Sequence, residues 1–158
     1  MARLPHNFGW KEVQMKKLIA IVIMMGMVLF GCSPVSNRLQ STLAPAANIG
    51  DSITCQNGCK QEWERAQLWI AKHSKWKIQT ATDVLIQTFN PTEGDPSYGF
   101  TITKEPTGSG SYVIRMELAC GNMFGCDPKP LDVKNAFYYY VKTGVDLLPG
   151  VGNFAAIR

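Results

Sequence analysis

The sequence is poor in histidine and in the motifs that hydrolytic and phosphate-transferring enzymes use. Two of its 158 residues are histidine, and charged side chains make up 18% of the chain. No Gly-x-Ser-x-Gly, phosphate-loop or paired-histidine motif occurs, so no catalytic residue is predicted. His73, the one histidine beyond the first 31 residues, falls among the apolar positions of a predicted helix. We therefore expect a packed side chain there rather than an acid or base.

The chain also lacks a strong charge of one sign once its beginning is set aside. The formal net charge is +4, and four basic residues with Glu12 place +3 of it in the first 31 positions, which leaves +1 for the rest. A protein that follows a phosphate backbone needs a dense basic face. Nucleic acid is therefore excluded as a partner.

The first 31 residues are typical of a secretory signal peptide. Lys16 and Lys17 precede an uncharged apolar run, Leu18–Phe30, and a small residue, Gly31, follows it. As a helix this run covers about 20 Å, less than the roughly 30 Å of a bilayer's hydrocarbon core, so it is too short for a permanent span. Residues 1–14 do not resemble any part of a signal, and we expect translation to start at Met15.

Leu29-Phe30-Gly31-Cys32 resembles the lipobox of bacterial lipoproteins. Leu29, Gly31 and Cys32 match its pattern, whereas Phe30 stands where a smaller residue is usual. The resemblance implies cleavage before Cys32, a diacylglyceryl group on its thiol and an acyl chain on the same residue, with no other cofactor. Ser33 resembles the following residue of lipoproteins sorted to the outer membrane, which implies a domain facing the periplasm. The alternative is an ordinary secretory signal with an incidental cysteine.

The remainder is predicted to form one small domain on a tether. Residues 32–50 are rich in Ser, Pro, Ala and Asn and indicate a lipidated N-terminus with a flexible linker. Residues 51–146 carry the periodic patterns of a folded domain. Residues 147–158 contain Pro149, Gly150 and Gly152 and are predicted to be a loose C-terminal tail.

Hydrophobic periodicity predicts a helix, four strands and a second helix. The first helix is expected over residues 59–73, two short strands within 76–89 with a bend at 81–83, a hairpin of strands 98–103 and 112–118, and the second helix over 132–143 with Asp132 as its cap and Gly144 as its end. This order predicts an α+β two-layer sandwich, with a four-stranded antiparallel sheet and both helices on one face. In element order it is similar to the TBP-like, helix-grip arrangement of small bacterial lipoproteins of unknown function.

Four cysteines remain beyond Cys32, an even number that favours two disulfides in an exported chain. Cys55 with Cys59 and Cys120 with Cys126 are the preferred pairs, because each closes a short loop containing Asn and Gly. Sequence alone leaves the other two connectivities open. A four-thiolate zinc site is less favoured, because five residues separate Cys120 from Cys126. No metal site is predicted, although Glu93 and Asp95 in a Pro/Gly loop are a weaker candidate for calcium.

Apolar and aromatic residues indicate a contact surface. Met123 and Phe124 lie between two paired cysteines, and Tyr138 and Tyr139 belong to a run of three tyrosines of which at least one should be exposed. The first hypothesis is thus a non-enzymatic lipoprotein, anchored to the membrane by its lipid, whose domain binds an envelope protein or cell-wall material. The second is a carrier or sensor of a small hydrophobic ligand held between sheet and helices. A hydrolase is the least favoured.

Overall fold

The computed structural model describes residues 34–148. The chain divides into a compact unit from Val35 onward and a preceding unit, Met1–Pro34, of which only Pro34 falls in the described range. The predicted signal peptide, Cys32 and the tail from 149 onward lie outside the described residues. In chain order the elements are α1 (Pro34–Leu43), a 3-10 turn (Ala44–Ala46), β1 (Ile53–Gln56), a 3-10 turn (Asn57–Cys59), α2 (Lys60–His73), β2 (Ile78–Ala81), β3 (Leu85–Thr88), β4 (Tyr98–Gly108), β5 (Ser111–Cys120) and α3 (Pro130–Thr143).

The predicted α+β class with an antiparallel sheet is confirmed, but the sheet has five strands rather than four, in the order β1-β5-β4-β3-β2. The missed strand, β1, alternates as expected, with Ile53 and Cys55 buried and Thr54 and Gln56 exposed. A strand of four residues is too short for this alternation to be recognised in the sequence.

The β4–β5 hairpin is longer than its predicted strands. The prediction ends the first strand at residue 103 and begins the second at 112, yet Pro106 pairs with Tyr112 and Gly108 with Ser111, after a register shift between Pro106 and Gly108. The connection shrinks to Ser109 and Gly110, both of which have positive φ. Two residues with positive φ form the type I′ turn, whose twist matches that of the flanking strands.

One face of the sheet carries the core. Alternate residues of β4 and β5, such as Phe100, Ile102 and Met116, are buried there, whereas Glu117 on the opposite face of β5 is exposed. Trp69 of α2 packs edge-on against Phe100, with ring centroids 6.0 Å apart. The fully buried side chains with the largest volumes include those of both helices and the sheet: Trp69, Tyr138, Phe137, Ile70, Ile86, Ile102 and Ile114.

Helix α3 begins two residues before its predicted start. Lys129 is the N-cap of α3 and Pro130 occupies the first turn, so Asp132 lies inside that turn and does not cap it. Proline is favoured there because its missing N–H would be unpaired in any case. The predicted end is confirmed, since Gly144 has a φ of 78° and its N–H donates to the Tyr140 carbonyl at 2.7 Å.

The segment predicted to be a flexible linker is largely structured. Leu43 and Ala46, at and after the end of α1, are buried, and the 3-10 turn that contains Ala46 lies against α3. Their isolated apolar side chains gave no period in the sequence, yet they cover the core. At the other end, Leu148 is also buried, so the packed domain extends past the predicted boundary at 146.

Candidate functional site

The loop that links β5 to α3 presents two apolar side chains to solvent. Met123 and Phe124 are 90% and 91% exposed, the highest values among the exposed large apolar residues of the described range. They occupy the middle of a turn in which the Gly125 N–H donates to the Asn122 carbonyl at 3.0 Å. The Phe124 N–H donates to Oδ1 of Asn122 at 2.9 Å. The chain thus holds both residues outward by local hydrogen bonds, and we call Met123 and Phe124 the apolar tip.

A disulfide closes this loop at its base. Cys120 and Cys126 are bonded, with their Cα atoms 6.0 Å apart, and Cys55 is bonded to Cys59, with a Cα separation of 5.4 Å. These are the two pairs that the sequence favoured. The Cys120–Cys126 disulfide lies on the surface beside the apolar tip, whereas the Cys55–Cys59 disulfide is buried and joins β1 to the 3-10 turn that follows it.

The loop is also fastened to the Pro/Gly loop that precedes β4. The Gly94 N–H donates to the Gly121 carbonyl at 3.0 Å, and Nδ2 of Asn122 donates to the Gly94 carbonyl at 3.1 Å. The approach is close, because a Cβ on Gly121 would lie 2.5 Å from the Thr92 carbonyl oxygen. Only glycine fits at position 121 without displacing the neighbouring backbone.

Asp95 fixes that supporting loop. Its carboxylate accepts hydrogen bonds from the Lys75 ammonium group and from the hydroxyl and backbone N–H of Ser97. The bond to Lys75 first, and those to Ser97 next, lower the pKa of Asp95 to about 2. The carboxylate suggested for calcium is therefore committed to protein partners, and residues 34–148 contain no cluster of three or more His, Cys, Asp or Glu side chains arranged for a metal ion.

Tyr98 holds the other end of the loop. Its hydroxyl lies 2.9 Å from the Pro128 carbonyl oxygen and 3.0 Å from the Cys126 carbonyl oxygen, and the two oxygens share its single proton as acceptors. Burial raises the pKa of Tyr98 to about 12, with a further contribution from the negative charges of Asp127 and Asp132. The phenol therefore stays protonated as a donor at any physiological pH.

A cleft of about 340 Å³ lies between this loop, β5 and the start of α3. Its lining is mainly apolar, with Lys134 as the one charged residue. Leu131, which follows the lining residue Pro130 in the first turn of α3, is 67% exposed. The residues that form its walls are Tyr98, Leu118, Cys120, Gly125, Cys126, Pro130 and Lys134. Sequence reasoning missed this cleft, although the i, i+4 spacing of Pro130 and Lys134 places them on one helix face.

The structure separates the four residues predicted as a contact surface. Met123 and Phe124 are exposed as expected, but Tyr138 is wrong as a surface residue because it is completely buried. Its hydroxyl oxygen accepts the Met116 N–H at 2.8 Å. Tyr139 is half-buried on the neighbouring side of α3. Three consecutive helical residues point about 100° apart, and the sequence does not say which of them faces the sheet.

His73 packs as predicted. Its side chain is 2% exposed, its ring centroid lies 4.7 Å from that of Trp69, and Nε2 donates to Oδ2 of Asp146 at 2.9 Å. The pair joins the end of α2 to the residues just before buried Leu148. It serves to hold the chain after α3 against the core.

Within residues 34–148 no helix has both the length and the apolar content needed to cross a bilayer. Comparison with protein-family models, with curated proteins and with solved structures found no match to this chain.

Proposed function

We propose that this chain is a lipid-anchored lipoprotein of the bacterial cell envelope whose domain binds another protein, or cell-wall material, through the apolar tip. The anchor is Cys32, and Ser33 favours the outer membrane with the domain facing the periplasm. The domain is a binding or structural module and not an enzyme.

One observation carries this proposal: Met123 and Phe124 are almost fully exposed on a loop that is held in a single shape. Scattered exposed apolar residues are normal on a protein surface, but two adjacent ones at 90% and 91% exposure are costly to leave in water. The disulfide, the Asn122 turn and the contact with Gly94 restrict the loop before any partner arrives. A pre-organised apolar loop loses little entropy on binding, which favours affinity.

The carrier hypothesis finds less support. Trp69, Phe137 and Tyr138 fill the space between sheet and helices, where the ligand was expected, and each is completely buried. The 340 Å³ cleft lies at the edge of the sheet and is open to solvent. Such a cleft suits a group that a larger partner inserts better than an enclosed small molecule.

The test is site-specific photo-crosslinking in cells that express the full gene. A photoreactive phenylalanine analogue at position 124 should give a discrete crosslinked species in the membrane fraction. The same analogue at Val84, which is 53% exposed in the β2–β3 turn, is the matched control and should give none. Equal crosslinking at both positions, or none at either, would contradict a partner at the apolar tip.

The anchor is tested separately. Labelled palmitate should enter the wild-type chain, and Cys32→Ala should abolish its incorporation and release the protein from membranes. Absence of label from the wild-type chain would remove the lipoprotein assignment, and label retained in Cys32→Ala would exclude Cys32 as its attachment site; either result leaves the binding proposal standing.

A further inference from the structure

Strand β5 has an open edge over its second half. On one side it pairs with β4 along its whole length, whereas on the other side β1 covers only Ser111–Ile114. Within residues 34–148, the remaining segment, Arg115–Cys120, has no strand beside it on the β1 side. The sheet therefore has a step where β1 ends.

The direction of the backbone groups along this step follows from two hydrogen bonds. Phe100 on β4 lies opposite Leu118 on β5. Its N–H, however, points away from β5 and donates to Oγ1 of Thr88. The Met116 N–H on β5 donates to the Tyr138 hydroxyl, away from β4. In an antiparallel ladder alternate residues share one direction. The N–H and C=O groups of Leu118 and Cys120 therefore point, like those of Met116, toward the open side.

These outward groups lack partners in the described part of the chain, except for the Met116 N–H, which Tyr138 accepts. Leu118 and Cys120 line the 340 Å³ cleft together with Pro130 and Lys134 of α3. A row of unpaired donors and acceptors at a two-residue repeat is a template for another extended chain.

We infer that this step is a β-augmentation site: an extended peptide segment of the binding partner pairs with β5 at Leu118 and Cys120, beyond Met116, whose N–H Tyr138 already accepts. This inference rests on the proposed function, and it names the form in which the partner binds. An extended strand advances about 6.6–6.8 Å per two residues, the spacing at which Leu118 and Cys120 repeat. Main-chain hydrogen bonds give such complexes affinity, and pockets for alternate side chains give specificity.

The cleft indicates the side chains of the partner segment. Its walls of Tyr98, Leu118 and Pro130 fit an apolar side chain, and Lys134 has no carboxylate within 4.0 Å among the described residues. We therefore assign an alternating segment with an apolar residue facing the cleft and an acidic residue near Lys134. The apolar tip adjoins Gly125, which lines the same cleft, so one partner can contact both.

The test uses the full oxidised chain and a random linear peptide library as the probe. Selection should enrich alternating, proline-free peptides with an acidic residue. N-methylation along the strongest binder should lower its affinity about tenfold at every second residue and about twofold or less between. The backbone pairing would be overturned if N-methylation lowered the affinity at no position, or at positions without a period of two. A failure of the selection to enrich any peptide would also overturn it.

Amide hydrogen exchange locates the site on the protein. The bound peptide should protect the Leu118 and Cys120 amides and leave those of Glu117 and Ala119 unchanged, because the latter already face β4. If the amides of Leu118 and Cys120 are protected without peptide and the chain is a dimer in solution, a second copy occupies the edge and the inference is overturned.

Two variants separate the edge from the apolar tip. Lys134→Glu should weaken the peptide about tenfold, while Lys142→Glu, near the far end of the same helix, should not. If the period of two and the Lys134 effect are present but position 124 gives no crosslink in cells, the edge stands without the tip. If position 124 crosslinks while the peptide shows neither effect, the proposed function stands and the inference fails.

Discussion

The hydroxyl oxygen of Tyr138 lies 2.8 Å from the backbone nitrogen of Met116 and accepts its N–H where β1 has ended. Met116 is the first residue of β5 whose outward groups have no strand to bind them. A side chain from α3 thus replaces a strand at one position and ties the helix to the edge of the sheet. Beyond it the edge is left open toward the cleft.

Tyr138→Phe should lower the free energy of unfolding by about 1–3 kcal/mol, because it leaves the buried Met116 N–H without an acceptor and changes little else. Tyr139→Phe, on the half-buried neighbour, is the control and should cost about 0.5 kcal/mol or less. Urea unfolding followed by tryptophan fluorescence measures both. Equal effects of the two substitutions would show that the Tyr138 hydroxyl contributes nothing at Met116.

The two disulfides should differ in their contributions to stability. The chain-entropy model gives each short loop about 2 kcal/mol. Replacing Cys55 and Cys59 together by serine should cost more than replacing Cys120 and Cys126 by serine, because Cys55 and Cys59 are 9% and 1% exposed and buried hydroxyls add a desolvation cost, whereas Cys120 is exposed. Thermal unfolding of the two double variants checks the order, and a lower Tm for the surface pair would contradict it.

Acid should remove the contribution of Asp95. Its pKa in the folded protein is about 2, below the ordinary value of 3.8, so the unfolded chain takes up the proton first as the pH falls. The stabilisation is complete above about pH 4 and is lost as the pH falls through about 2. The difference in stability between wild type and Asp95→Asn should shrink over that range. When Lys75→Met is present in both chains, the stability lost by Asp95→Asn should be smaller at every pH. An unchanged loss would exclude the Lys75 hydrogen bond as the main source of the stabilisation by Asp95.

The apolar tip should contribute little to folding. The double variant Met123→Ser and Phe124→Ser should change the free energy of unfolding by about 0.5 kcal/mol or less, since both side chains lie in solvent. Phe137→Ala, in the core, should cost about 3–5 kcal/mol. Retention on a hydrophobic-interaction column should fall for the tip variant alone. Marked destabilisation by the tip variant would mean that these side chains pack against the domain.

Much of the fold could be predicted where the sequence has a clear period or a special residue. The alternation around Phe100 and Ile114 predicts the β4–β5 hairpin, and Gly144 predicts the end of α3. Short elements gave no comparable signal. β1 has four residues, and the segment up to Ala46 has isolated apolar side chains whose burial depends on a helix that lies about 90 residues later in the chain.

The candidate site divides in the same way. The sequence predicted the apolar tip, because two apolar residues between cysteines cannot easily be buried. It could not predict the open edge beside Leu118, which depends on where β1 stops relative to β5, nor that Tyr138 would face Met116. Strand register and the rotation of a helix about its axis follow from packing across the whole domain.

The strand order has a consequence for how the chain reaches this structure. β4 and β5 are joined by two residues and can zip together as soon as both exist, but β1 must wait for β5, which follows it by more than 50 residues. Both disulfides are local, so each can be oxidised without the sheet and neither can fasten a wrong long-range pairing. β1 can therefore dock on the prepared hairpin with its own cysteine bridge already closed.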